Sequence, residues 1–584
     1  MLKSEHVSAS CPRVDLGAAA EMARLPSAMH FQQRASQWRE SVRAFALTEG
    51  ILPLNSWAGT IHPLDALRSS LNSSNGAALQ YFTLARTLVR EHPGLELELS
   101  DTLGGWNFVD AIQLLGPEKR MLRIHGSSKW RRWRSIAHQW AYDQKVNLQR
   151  RYWQSVRVAR RQDSIDVLAV PRTPVHLADL LPLAEALRRE ARLETAFALV
   201  DNRLVDRVLQ AGFDVYPLLP TTAGDRRTLR RELPAARETL LSLIRSDGFR
   251  PPGFDGVEHE CLAKQTRQVV RGSLGYALHT AIGVRRLLDQ LGPKVLLVGN
   301  PYTLEGRLAI QVTRCRKIPT TAVEHGAIFP TDPSWDECPL DKVFVRGEPS
   351  RRALLARGLS ESQIAVTGGP SQDATFRDFF AQQARESATK RDVLVASSGP
   401  GGAVGYPRFQ IFLQMIYAAA DLTPEIEWTV KLHAKDREEF YSAVCPHGHP
   451  RVRIVRGDPE RYGLDIYDYL KSARALVTIT SSSALDAMAV DVPVIAVDVW
   501  PAGQGPQGIE FLDRGCTVRV RTAVELAEAV RLAGNGGHNS ELSQAARDYA
   551  SEHFVNRGRA ASAIVQRMQD LIDHLSHSHL VKDS

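Results

Sequence analysis

The chain is short of cysteine. It has six in 584 residues, at Cys11, Cys261, Cys315, Cys338, Cys445 and Cys516, and no two form a Cys-x-x-Cys pair. That argues against a disulfide framework and a structural zinc site, and fits free thiols in a reducing compartment. No apolar run approaches the roughly 18 residues that a membrane-spanning helix needs. The N-terminal stretch lacks the continuous apolar segment of a signal peptide. Also missing are a Gly-x-Ser-x-Gly elbow, a His-Glu-x-x-His helix and a Walker A Lys-Ser/Thr. Those absences disfavour an α/β-hydrolase, a zincin and a P-loop nucleotidase. With no homopolymer tract and no short-period repeat, disorder and a solenoid are set aside too.

What is present is a globular composition, 43% hydrophobic and 24% charged. At about 150 residues per domain, the length suggests about three units. A net charge of +8 is modest for so long a chain; it fits an anionic ligand or surface without implying nucleic acid. The expectation is a soluble cytoplasmic protein, at most peripheral to the inner face of a membrane.

Residues 1–162 read as a helix-rich region ending in a basic and aromatic run, 129–161, with Trp130, Trp133, Trp140, Tyr142, Tyr152 and Trp153 interleaved among Lys and Arg. Three readings of that run stay open: a packed and solvated helix face, a membrane-surface contact, or a groove for an acidic glycan or nucleic acid. From 163 the texture becomes alternating strand and helix, with apolar runs at 164–170, 195–200, 214–219, 294–300, 320–326, 342–347 and 363–369. A mostly helical insertion is predicted at about 224–291. Repeats of this kind indicate a parallel sheet covered by helices. Residues 163–376 are read as one such domain, the charged stretch 377–391 as a linker, and 390–540 as a second. A helical tail over 541–584 completes the division.

In open parallel sheets, ligands bind beyond the carboxyl ends of the strands, so the residues just after each apolar run are the candidates. Glu324-His325-Gly326 puts a near-neutral base above a tight turn. Lys431-Leu432-His433 with Lys435 is a cluster suited to phosphate oxygens. Thr480-Ser481-Ser482-Ser483 precedes a helical stretch, and Ser483 with Asp486 has capping-box spacing, so a helix start facing an anion is predicted there. A glycine-rich turn containing Ser398, Gly399 and Gly401 follows the first strand of the second domain and would let backbone approach a ligand. His62 and the turn-rich segment 445–449 are read as structural.

These motifs, in this order, resemble the GT-B-fold transferases of bacterial surface polysaccharides. The likeness is greatest to the group of CDP-glycerol glycerophosphotransferases, capsule polysaccharide transferases and polysialyltransferases. Stretches 343–358, 364–373 and 465–497 are similar too, while Ala434 stands where that group has proline. The resemblance implies an α/β, GT-B-like fold: two Rossmann-like domains with a helical N-terminal extension, the first on the acceptor side and the second on the donor side. It also implies inverting, metal-independent transfer of a sugar or polyol phosphate from a CMP- or CDP-type donor to a glycan or lipid-linked acceptor, with no cofactor. Glu324 or His325 would be the base; the choice stays open. His433 and Lys431 would contact the leaving phosphate, with Ser481, Ser482 and Ser483 answering its charge. No Asp-x-Asp closes a strand, so Lys431 and Lys435 would replace a metal. The rival readings are a non-hydrolysing UDP-N-acetylglucosamine 2-epimerase and a non-catalytic nucleic-acid-binding scaffold.

Overall fold

The computed structural model describes residues 165–219, 223–245, 253–326, 339–383, 392–397, 406–433, 438–457, 465–500, 510–534 and 540–580, with isolated positions elsewhere (34–35, 37–39, 86, 96–98, 123–125, 328, 335, 399, 404 and 436). The basic and aromatic run 129–161 and His62 lie outside the described residues. The chain divides into two compact units, residues 1–155 with 221–279, and residues 156–220 with 280–584. The helical segment read as an insertion in the first α/β domain therefore groups with the N-terminal region up to 279.

In the first unit, β1 (Glu96–Glu98) and β2 (Arg123–His125) pair in parallel. The helices Ala223–Arg245 and Gly256–Leu291, the latter up to 279, contribute most of what is described there. Arg34 pairs with Glu258 at 2.9 Å.

The second unit holds two wholly parallel sheets. Strands β3 (Val167–Val170), β4 (Thr195–Leu199), β5 (Asp214–Pro217), β6 (Val295–Val298), β7 (Thr320–Val323), β8 (Lys342–Val345) and β9 (Ile364–Val366) lie in the order β5-β4-β3-β6-β7-β8-β9. Strands β10 (Asp392–Ala396), β11 (Trp428–Leu432), β12 (Val452–Arg456), β13 (Ala473–Thr478), β14 (Val494–Val497) and β15 (Val518–Val520) follow β12-β11-β10-β13-β14-β15. Both orders reverse direction beside their own first strand, as in doubly wound dinucleotide-binding sheets. The α/β, two-Rossmann architecture is thus observed.

The inner strands, such as β3, β6 and β14, are apolar and buried along their whole length because both faces are covered, whereas the edge strand β12 carries exposed arginines. In β10, Val393 and Val395 join one buried cluster with Phe412 and Val530, while Leu394 and Ala396 join another with Phe376, Tyr467 and Ala487. Alternation with period two sends neighbours to opposite helical layers.

Helix α1 (Pro174–Ala186) follows β3, α2 (Glu348–Ala356) follows β8, and α3 (Asp373–Gln383) occupies the front of the predicted linker. The tail is two helices rather than one, α6 (Ser540–His553) and α7 (Ala560–Leu580), after α4 (Ile466–Leu470) and α5 (Ser483–Ala489). Asn556 and Gly558 have positive φ and end the first of them. The Asp373 carboxylate, at the start of α3, accepts from the Ala560 and Ala561 amides, each at 2.9 Å, and so caps α7. Helix α7 then returns to pack on α1 of the first sheet. Among the described residues no helix is long and apolar enough to cross a membrane.

Candidate functional site

The first sheet's reversal lies between β3 and β6, and the segments leaving those strands and β7 gather a polar cluster. His176, in the first turn of α1, comes from β3; Asn300 and Tyr302 follow β6; His325 follows β7. The His176 and His325 rings meet edge to face with centroids 4.5 Å apart. The Asn300 amide nitrogen lies 3.4 Å from His176 Nε2 and 3.3 Å from His325 Nε2. The Tyr302 hydroxyl is 3.1 Å from that same His325 nitrogen, and its ring packs against Trp335. Gly299 is required for this approach, since a Cβ there would stand 2.6 Å from His176 Cβ.

Burial is the main cause that lowers the pKa of His325; Asp179 and the Gly299 carbonyl oppose it and Arg346 adds to it. His176 is pushed from 6.5 to about 3, by burial first and then by His325 and Arg172. Its unfolded form takes a proton below 6.5 while the folded form does not until about 3. The linked stability is therefore full above 6.5 and lost as the pH falls through that window, at about 1.4 kcal/mol per pH unit. Glu324 and Asp486, both raised chiefly by burial, act with the opposite sign and offset part of the loss. Denaturant midpoints measured from pH 7 to pH 4 should decline, and His176→Asn should flatten that decline; an equal slope in the variant would contradict the assignment.

Glu324 sits one residue from His325 but points elsewhere. It is 2% exposed, and its two oxygens accept from the Arg346 amide at 2.7 Å and the Ser350 hydroxyl at 2.8 Å. The carboxylate thereby ties the end of β7 to the start of α2. The Arg346 guanidinium is 3.5 Å from buried Asp179, whose other oxygen accepts from the Ser371 amide. Beyond it, Gln372 and Tyr467 both donate to Asp486 Oδ1, at 3.1 and 2.7 Å. A chain of buried polar groups thus links the two sheets' edges. None of Asp179, Arg346, Gln372 or Tyr467 has a local motif that could have marked it, and the motif at Asp486 pointed to a helix cap; His176, near a strand's carboxyl end, left a readable signal.

In the second sheet the reversal lies between β10 and β13. After β10, the Ser397 hydroxyl accepts from the Gly399 amide; Gly399 has φ +67° and lies so close to Asp436 that a Cβ would meet its carboxylate at 3.1 Å. After β13 comes the hydroxyl run. Ser481 is buried, its amide donating to the Thr478 hydroxyl and its own hydroxyl accepting from the Ser483 amide at 3.3 Å. Helix α5 begins at Ser483 as predicted, but Ser482 is its N-cap and the Ser482 side chain makes no capping hydrogen bond. The predicted capping box is absent because Asp486 is engaged by Tyr467 and Gln372. Ser482 is exposed, and Thr480 and Ser483 are partly so.

His433 is exposed just past β11, beside β10 in the sheet. Lys431, read as a phosphate-holding cation, is instead largely buried and pairs with buried Asp465 at 3.1 Å. Ser398, Gly401 and Lys435 lie outside the described residues. Gly326 sits in the turn after His325, partly exposed. Among the described residues no group of three or more His, Cys, Asp or Glu is gathered as a metal ion would require.

No family model matches the chain and no curated protein does. Solved structures are similar in chain course. A UDP-GlcNAc 2-epimerase from Neisseria meningitidis bound to UDP-GlcNAc is 14% identical, with TM-score 0.44, over 70% of this chain and 100% of its own. One from Methanocaldococcus jannaschii is 15% identical, with TM-score 0.43, over 69% and 99%. A glycosyltransferase from Rickettsia africae is 10% identical, with TM-score 0.42, over 71% and 99%.

Proposed function

We propose that this protein is a GT-B-type glycosyltransferase, which moves a sugar or polyol phosphate from a nucleotide-activated donor to an acceptor hydroxyl. One observation carries the reading: each of two parallel sheets has its own topological reversal, with a neutral imidazole at the first and glycine plus hydroxyl groups at the second. Nucleotides favour such reversals.

On this reading, His325 is the base that takes the acceptor's proton. Glu324 is the positioning residue, because both its oxygens are already committed to holding the turn. Thr480, Ser482 and Ser483 offer hydroxyls, and Gly399 backbone, to the donor's phosphate, with His433 at the adjoining strand end. Each such donor, preorganised where water is excluded, contributes about 3 kcal/mol. Lys431 is largely answered by Asp465, which favours a donor with little phosphate charge; a CMP-linked donor suits it better than a CDP- or UDP-linked one. The acceptor is a glycan or a lipid-linked glycan at the cytoplasmic face of the membrane.

The paired imidazoles favour a second reading, a nucleotide-sugar epimerase using two proton carriers on one ring. His176, neutral down to about pH 3, is a poor proton carrier, and that puts the epimerase second.

A thermal-shift screen against CMP, CDP, UDP and GDP tests the donor side. A selective nucleotide at a hundredfold excess over its Kd should stabilise the fold by about 2.7 kcal/mol. Nucleotide release with and without pooled glycan acceptors separates the readings. Release only with acceptor is expected; epimer formed without acceptor would select the second reading, and no nucleotide effect at all would sink both.

A further inference from the structure

We propose that the helix Ala223–Arg245 rests its arginine face on an anionic lipid bilayer, with Arg227, Arg230 and Arg231 as the contact. The inference is independent of the donor and of the reaction proposed above.

The helix carries six arginines against three acids. At 3.6 residues per turn, Arg227, Arg230 and Arg231 fall within about 100° of its circumference, and all three are exposed. The other side is occupied by packing. Ala236 and Leu240 are buried, and Leu233 lies against Gly275 of the helix Gly256–Leu291, where a Cβ would stand 3.5 Å from the leucine side chain. Arg237, at the border between the two sides, donates to the Arg271 carbonyl of that second helix. The amphipathic pattern therefore uses its apolar stripe inward and leaves charge outside.

One of these charges is answered within the helix: Glu232 is buried and pairs with Arg231 at 3.1 Å. Arg227 and Arg230 have no ion-pair or hydrogen-bond partner among the described residues. No large apolar side chain of this helix is exposed among the described residues, so the contact is electrostatic rather than an insertion among acyl chains. The helix has no aromatic residue on which a nucleic-acid base could stack. Nor does a partner orient Arg227 or Arg230 into the fixed fork that recognition of one phosphate group calls for. A row of unanswered guanidinium groups on a convex helix suits a surface whose charge is spread out. The headgroup layer of an anionic membrane is such a surface.

The test is co-sedimentation of the full chain with vesicles of phosphatidylglycerol mixed into phosphatidylcholine, and with phosphatidylcholine alone. Binding should require phosphatidylglycerol and weaken as salt is raised. Arg227→Gln combined with Arg230→Gln should weaken it about 25-fold, at roughly fivefold for each arginine near the surface. Arg227→Lys with Arg230→Lys should bind as the natural protein does, because a spread charge answers an ammonium as well as a guanidinium. A control pair, Arg192→Gln with Arg559→Gln, removes the same net charge from exposed positions of the second unit and should leave binding unchanged. None of these side chains has a partner to lose, so folding is expected to be unaffected. The proposal is overturned if phosphatidylglycerol makes no difference, if the Arg227 and Arg230 pair of Gln substitutions binds as tightly as the natural protein, or if the control pair loses as much. Single-stranded RNA serves as the competing probe. RNA binding that needs Arg227 and Arg230, with vesicles ignored, would assign this face to nucleic acid instead.

Discussion

Arg346→Met should destabilise the fold by about 3 kcal/mol, the lower end of what breaking a buried ion pair costs. The lower end applies because the Arg346 side chain is 20% exposed. Its guanidinium is the cation beside Asp179, and its charge also acts on Glu324 and Asp486. Removing it leaves Asp179 and Glu324 without this cation, and Asp486 with Lys431 acting on it. Glu324 and Asp486, already raised by burial, would rise further, so the penalty is largest at high pH. It shrinks as acid protonates them, because the neutral forms need no cation. Equilibrium urea unfolding at pH 8 and pH 5.5 checks this. A midpoint shift equal at both pH values would mean that the side chain contributes packing rather than charge. Arg346→Lys should recover part of the loss, since a point charge cannot reproduce the planar fork.

A second large effect is expected at the crevice of the first sheet. His325→Ala should lower acceptor-dependent turnover about 10²–10⁴-fold, the usual contribution of a positioned base, while leaving nucleotide affinity intact. The reason is spatial: His325 leaves β7 of the first sheet, whereas the glycine and hydroxyl groups offered to the nucleotide leave β10 and β13 of the second. Retained turnover would remove His325 from the reaction. Loss of nucleotide binding together with turnover would mean that the variant perturbs the whole unit. Glu324→Gln discriminates further. A positioning carboxylate should be replaced at moderate cost in stability, whereas a base could not be replaced at all.

The two candidate turns differ in how much of their chemistry local sequence could disclose. At 324–326 the strand end, the imidazole and the glycine were legible, because an apolar run followed by polar residues marks a sheet edge. Which side chain faces outward was not legible. Adjacent residues at a strand end point to opposite sides, and the partners that claim Glu324, the Arg346 amide and Ser350, lie more than twenty positions away. At 431–435 the two lysines read as a free cationic cluster, because the carboxylate that claims Lys431, that of Asp465, lies more than thirty positions away. Asp465 reaches it only after β12 has been laid beside β11. The same holds for Ser483 and Asp486: their spacing suits a capping box, but Tyr467 from α4 competes for the carboxylate and wins at 2.7 Å.

The division of the tail into two helices has the same origin. Helical periodicity runs through 541–575, yet Asn556 and Gly558 adopt left-handed backbone so that Asp373 can cap α7 and the chain can return to α1.

The amino-acid order alone determined the alternation of strand and helix, the two parallel sheets and the edges at which polar residues emerge. Those depend on apolar periodicity and short-range turn chemistry, which are local. Tertiary structure alone decided which polar groups remain available. Charges and hydrogen bonds are claimed by whatever partner the fold brings within about 3 Å, and that partner is set by strand order rather than by distance along the chain.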